Sequence, residues 1–252
     1  MRALVTGAGV RIGRHIALAL AEDGHSVAIH YNRSAAPAEE VADLIRANGG
    51  TAATLRADLR DPDACRALVP AAAKALAADG GDGPLDLLVN NASTFVADSA
   101  DAISAFALNM DVNLRAPLLL SEAFAQQAEA GVILHMIDQR VEKPNPLYFS
   151  YTLSKAALHW AVKTQAQAFA PHVRVVGIGP GPTLRNTDQA DGEFEREAAA
   201  TLLGHGSPPE EIIRAVRFLV GASAVTGQMI TVDGGQHLTW QTPDLLTSEP
   251  ET

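Results

Sequence analysis

Short, nearly continuous apolar runs alternate along the chain with longer segments whose apolar residues recur every three or four positions. Runs such as LDLLV (85–89) and GVILHMI (131–137) read as strands buried on both faces, because a strand with one wet face alternates instead. Five more strands are read in RALVTGAG (2–9), HSVAIHYNRS (25–34), TAATLRADL (51–59), HVRVVGIGPGP (172–182) and GQMITVDGG (227–235). Helical spacing predicts helices in RHIALALAEDG (14–24), PAEEVADLIRANGG (37–50) and DPDACRALVPAAAKALAADGG (61–81). Each of these closes on glycine, and Pro62 opens the third. Further helices are read from Asp101 to Glu129, from Tyr151 to Ala170, and in PPEEIIRAVRFLVG (208–221). The steady alternation predicts a doubly wound α/β domain, with a seven-stranded parallel sheet flanked by helices.

Two stretches break the pattern. The polar segment from Thr183 to Gly206 follows the sixth strand and is a candidate substrate lid. The segment 241–252, QTPDLLTSEPET, reads as a surface tail. No repeat or linker divides the rest, so one domain is expected over residues 1–240.

Composition narrows the function classes. A chain of 252 residues, 47% apolar and 19% charged, suits one globular domain with a large core. The net charge of −10 repels phosphates, which argues against nucleic-acid or anionic-membrane partners. Cys65 is the only cysteine, so neither an intrachain disulfide nor a cysteine-based metal site is available, and no metal is expected. No basic leader followed by a long apolar run is seen, and the apolar runs are too short to span a bilayer. A cytoplasmic location is the expectation.

The candidate chemistry begins at TGAGVRIGR (6–14). Gly7, Gly9 and Gly13 sit between a strand and a helix. Glycines there allow a tight turn and let a pyrophosphate approach the free N–H groups of the helix N-terminus. Farther on, Tyr151 and Lys155 stand four residues apart on one helix face. A phenol with pKa about 10 is a poor proton source near neutrality, and a neighbouring ammonium lowers that value. With NNAS (90–93), Asn113 in MDVNLRAP, the Gly179–Pro182 turn and the Asp233–Gly235 end of the last strand, this set resembles the short-chain dehydrogenase/reductase family over about residues 3–240. The resemblance implies a Rossmann fold, a nicotinamide cofactor, and a homotetramer built through the long helices after the fourth and fifth strands.

It also implies site residues. The cofactor would be held by Gly7, Gly9, Arg11, Ile12 and Gly13, by Tyr31, Asn32, Arg33 and Ser34, and by Asp58 and Leu59. Asn90, Asn91, Ala92, Ser93, Tyr151, Lys155, Pro180 and Gly181 complete that set. Asp58 reads almost equally well as a turn or capping residue. Asn113 would position a water in the proton relay. The second strand ends without the acid that binds the adenine ribose of NAD. Arg33, with its planar fork, and Ser34 can instead pair with a 2′-phosphate, so NADPH is expected.

Three departures point to one branch of the family. Arg11 replaces a glycine, Asp138 stands thirteen residues before Tyr151 where a serine is usual, and Phe95 follows NNAS. These resemble the pteridine reductases, including dihydromonapterin and dihydrofolate reductases of that type. A fixed carboxylate would repel the alkoxide formed from a ketone. It tolerates a basic ring nitrogen, and it accepts N–H groups of an aminopyrimidine. Asp138, Tyr151, Lys155 and Asn113 are thus the expected catalytic set, and Arg11, Ser93, Phe95, Asp138 and Tyr151 the substrate set. The expected activity is NADPH-dependent reduction of a C=N bond in a dihydropterin or dihydrofolate. Other readings are that Asp138 caps the loop before Pro144, that Phe95 is core and that Arg11 pairs only with phosphate. A carbonyl or 3-oxoacyl reductase, or a non-catalytic NADP(H)-binding sensor, are the competing functions.

Overall fold

The computed structural model describes residues 1–77, 83–186 and 189–240. Seven strands form one parallel sheet in the order β3-β2-β1-β4-β5-β6-β7. They are β1 (Arg2–Val5), β2 (Ser26–Tyr31), β3 (Ala52–Arg56), β4 (Leu87–Asn90), β5 (Gly131–Met136), β6 (Val173–Pro180) and β7 (Met229–Val232). The order reverses between β1 and β4, whose registers pair Val5 with Val89. Open α/β sheets bind ligands outside the carboxyl ends of their strands at such a reversal.

The central strands are mostly apolar because both faces are covered. Leu4, Val5, Leu87, Leu88, Ile133 and Leu134 are all fully buried. Their alternate side chains enter two cores. One packs against helices α1 (Arg11–Glu22), α2 (Ala35–Ala47) and α8 (Pro209–Gly221). The other packs against α3 (Pro62–Leu76), α5 (Ala116–Gln127) and α6 (Phe149–Phe169). Asp61 caps α3 by accepting the Asp63 N–H at 2.9 Å, one residue before the expected proline start.

The long helix expected from Asp101 is shorter. Residues Asp98 to Ala105 are irregular, α4 spans Phe106–Met110, and the helix widens into a π-turn over Asp111–Arg115 before α5. The reason is Asp98. Its carboxylate accepts the Ala105 N–H at 3.2 Å and the Ser150 N–H at 2.9 Å, which ties this loop to the start of α6 and keeps it from coiling. The candidate lid contains the short helix α7 (Glu193–Ala199). Its residues 187 and 188 lie outside the described residues, as do the end of the third predicted helix (78–81) and the predicted tail (241–252). Among the described residues, no helix is long and apolar enough to cross a membrane.

Candidate active site

The glycine turn leaves β1 and is fixed from two sides. Thr6 Oγ donates to Val89 O at 3.3 Å and accepts the N–H groups of Asn91 and Ala92 at 2.9 and 3.0 Å, which uses the full capacity of one hydroxyl. From β2, the buried His30 accepts the Gly7 N–H on Nδ1 at 3.2 Å, and its Nε2 meets Ala57 O at 3.2 Å. Burial holds this imidazole neutral, with its pKa pushed down to about 4. Gly7 has φ +64°, a left-handed value that favours glycine. A Cβ on Gly13 would lie 2.3 Å from Gly7 O, so only glycine lets α1 start this close to the turn.

A cleft of about 420 Å³ opens beside the turn. Of the expected cofactor residues it gathers Gly7, Gly9, Tyr31, Asn32, Arg33, Ser34, Asp58, Leu59, Ala92 and Ser93. Arg60 faces the same cleft and holds the Asp58 carboxyl down to about 2, with a smaller contribution from Arg33. Arg33 itself is exposed and makes no recorded ion pair among the described residues, whereas Asp58 is already matched by Arg60.

Two expected cofactor residues also serve the fold. Asn90 is buried, and its amide nitrogen reaches His135 Nδ1 at 3.3 Å and Ser121 Oγ at 3.4 Å. Ile12 packs against the core. Asn91 donates to Thr6 O and Gly7 O at 2.8 and 3.3 Å, so it acts through the turn. Gly181 donates its N–H to Val232 O at 3.0 Å, and a Cβ there would meet Asp233 at 2.6 Å. The Pro180–Gly181 turn is therefore pinned to the end of β7.

The donor site lies where β5 ends and α6 begins. The Tyr151 hydroxyl donates to Asp138 Oδ2 at 2.7 Å. Asp138 also caps the short turn Gln139–Val141, with Oδ1 accepting the Arg140 N–H at 2.8 Å. The capping reading and the catalytic reading thus describe two oxygens of one carboxylate. Lys155 is buried, donates to Met136 O at 2.7 Å, and lies 5.8 Å from the Tyr151 ring centre. Burial lowers its pKa to about 8, partly opposed by Asp138. Contrary to the sequence expectation, Tyr151 is driven well above the ordinary phenol value, first by burial and then by Asp138. The ammonium does not outweigh the carboxylate in direct contact.

The Asn113 side chain is committed to the fold. Its Oδ1 accepts from Thr94 N at 2.8 Å and Ser93 Oγ at 3.0 Å, and its Nδ2 donates to Thr94 O at 2.9 Å and Ser154 Oγ at 3.2 Å. No capacity remains on that amide for a relay water, so it shapes the segment after β4. Phe95, at the end of that segment, is 37% exposed and is not core. Its ring stacks on Tyr148 at 4.4 Å and meets Tyr151 edge-on at 4.7 Å.

Arg11 reaches across to the start of the candidate lid. It has φ +52°, and its guanidinium donates to Arg185 O at 2.8 Å, Leu184 O at 3.1 Å and Asn186 Oδ1 at 2.8 Å. It therefore joins the glycine turn to the first residues of the candidate lid. His30, Arg140 and Tyr148 were not singled out from the sequence. The HYNRS stretch could have exposed His30, since an alternating strand puts it opposite Tyr31.

The chain matches the short chain dehydrogenase family over residues 1–197. It belongs to that family. The crystal structure of FolM alternative dihydrofolate reductase 1 from Brucella suis in complex with NADP superposes with a TM-score of 0.91 at 42% identity, covering 96% of this chain and 97% of that one. Pteridine reductase 1 from Leishmania tarentolae is 32% identical over 94% of this chain and 96% of its own length. The 7alpha-hydroxysteroid dehydrogenase of Escherichia coli strain K12 is 34% identical over 92% of both chains. The last two identities differ by two points, so identity of that order does not choose between a pteridine and a steroid. The site has to.

Proposed function

We propose that this short-chain dehydrogenase is an NADPH-dependent reductase of pterin-type substrates, converting a dihydropterin or dihydrofolate to its tetrahydro form. The observation that carries the reading is the Tyr151 hydroxyl donating to Asp138 at 2.7 Å beside the exposed Phe95 ring. A group of this kind puts a carboxylate next to the reacting atom. That placement would oppose a developing alkoxide and is compatible with protonation of a ring nitrogen.

The residues of the cleft fit a dinucleotide phosphate. Gly7 and Gly9 keep the turn free of side chains, and the unpaired Arg33 with Ser34 suits a 2′-phosphate at the mouth of a 420 Å³ cleft. The Brucella suis relative binds NADP in its crystal, in agreement with this. When bound, the cofactor supplies hydride to the imine carbon. Tyr151, sharing its proton with Asp138, protonates the adjacent ring nitrogen. Lys155 offsets the negative charge left on the pair and orients the ribose. Phe95 offers a flat face to the heterocycle, and residues 183–206 close over it as a lid.

A homotetramer and a cytoplasmic location belong to the same proposal. Trp160, on α6, is 67% exposed, as a helix face reserved for a partner copy would leave it.

The deciding experiment follows NADPH oxidation with a dihydropterin and dihydrofolate panel against ketones and 3-oxoacyl thioesters. Turnover confined to the first panel supports the reading. Turnover confined to carbonyls refutes it and favours the carbonyl reductase alternative. For that alternative, Ser93, which faces the Tyr151 hydroxyl closely enough to lower its pKa, would supply the missing serine hydroxyl.

A further inference from the structure

The chemistry given to Tyr151 and Asp138 leaves Arg140 without a task, yet Arg140 touches most of the groups around them. Its main-chain N–H donates to Asp138 Oδ1 at 2.8 Å, and its guanidinium lies 3.5 Å from the same oxygen. Its central carbon lies 5.2 Å from the centre of the Phe95 ring and 5.0 Å from that of Tyr148. The side chain is only 18% exposed, and Nε is buried with no hydrogen-bond partner. Burying a guanidinium with so few partners is costly. A turn of three residues does not require it, because the main-chain N–H alone completes the Asp138 cap.

We propose that Arg140 is a positioning residue of the donor site, holding the Asp138 carboxylate against the Tyr151 hydroxyl while bracing the Phe95–Tyr148 ring pair as the wall for a flat substrate. This rests on the reading that Tyr151 and Asp138 deliver a proton to an aromatic heterocycle. The two tasks use different properties. The first uses the positive charge, and the second uses the planar guanidinium laid against the rings.

The charged and polar groups facing Tyr151 are Asp138, Arg140, Lys155 and Ser93. Asp138 raises the phenol pKa, while Arg140 and the Ser93 hydroxyl lower it. Removing the Arg140 charge lets Tyr151 hold its proton to still higher pH. The limb that Tyr151 contributes to the kcat profile, on the alkaline side of the Lys155 step at about 8, should then move upward.

The test compares wild type, Arg140→Lys and Arg140→Met with the substrate that the wild type reduces. Arg140→Met keeps bulk and the main-chain cap but loses charge and plane. Its KM for substrate should rise about tenfold, the size of one cation–ring contact, and its alkaline limb should move up. Arg140→Lys should restore the limb and not the KM. NADPH affinity, read by fluorescence titration, should stay unchanged in both, because Arg140 does not line the cofactor cleft. A folded Arg140→Met enzyme with wild-type KM and limb overturns the proposal. So does a parallel loss of NADPH affinity, which marks a general structural role. Should the wild type reduce only ketones, the pterin reading fails, while the limb shift still decides whether Arg140 supplies charge to Tyr151.

Discussion

Tyr151 and Asp138 form a donor–acceptor pair in which the phenol hydroxyl donates a hydrogen bond to the carboxylate at 2.7 Å. The opposite arrangement, a phenolate stabilised by Lys155, is not what the chain has built, since burial and Asp138 together push the phenol pKa up. Tyr151 is kept protonated and therefore available as an acid. Tyr151→Phe should lower kcat by about a hundredfold or more, the usual scale of general acid catalysis, with NADPH affinity held. Asp138→Asn should keep the cap on the Arg140 N–H, because asparagine caps as well as aspartate, and still lose turnover. Steady-state kinetics with a fluorescence titration of NADPH separates these effects. An Asp138→Asn enzyme with full kcat would reduce the aspartate to a cap.

Arg33 is the proposed carrier of the cofactor preference. Its guanidinium stands at the cleft without a recorded ion pair, whereas the neighbouring acid, Asp58, is already paired with Arg60. Arg33→Ala should raise the KM for NADPH about tenfold, in line with loss of one charge-assisted contact, and leave the KM for NADH unmoved. Equal changes with both cofactors would place Arg33 away from the 2′-phosphate.

Most of the framework was legible in the sequence because it rests on periodicity and on glycine. Buried parallel strands announce themselves as apolar runs, and the turn at Gly7 to Gly13 follows a strand and opens a helix. Local spacing does not reveal which side chains a loop brings together. Asp98 and Ser150 are 52 residues apart, and their bond truncates a helix that the apolar pattern alone extends to Asp101. Arg140 sits two residues from Asp138 in the sequence, but its contact with Phe95 depends on the end of β4 lying beside the end of β5. Arg11 shows the same limit. Its replacement of a glycine was visible, whereas its target, the lid carbonyls some 174 residues away, was not.

Arg11 occupies a left-handed backbone position, at φ +52°, which costs a non-glycine residue about 1 kcal/mol or more. Arg11→Gly relieves that strain and, in exchange, loosens the unfolded chain by up to about 1 kcal/mol, so the two backbone effects nearly cancel. The three bonds to Leu184, Arg185 and Asn186 are lost outright. Limited proteolysis should then cut residues 183–206 faster than in the wild type, and the KM for substrate should rise. Unchanged cleavage would show that the lid is held by its other contacts, such as Gln236 Nε2 donating to Glu197 at 3.0 Å. Arg11→Lys should resemble the glycine variant, since one ammonium cannot span three acceptors spread over three residues.

His30 links the phosphate turn to acid stability. Its pKa falls from 6.5 unfolded to about 4 folded because burial disfavours the imidazolium, and the fully buried His135 falls likewise to about 4. Between these values the unfolded chain binds the extra protons. Stability should therefore be complete above pH 6.5, drop as pH falls from 6.5 towards 4, and lose on the order of 3 kcal/mol for each histidine. Protonation of His30 on Nδ1 would also remove the acceptor for the Gly7 N–H, so NADPH should bind the folded chain more weakly only as pH falls through about 4. Glutamine at this position can accept from Gly7 N and donate to Ala57 O without titrating. Urea unfolding of the wild type and His30→Gln across that range should show a shallower fall for the variant, by up to about 1.4 kcal/mol per pH unit. Superimposable curves would mean that His30 reaches solvent before it is protonated, and that the turn is held by Thr6 and Asn91.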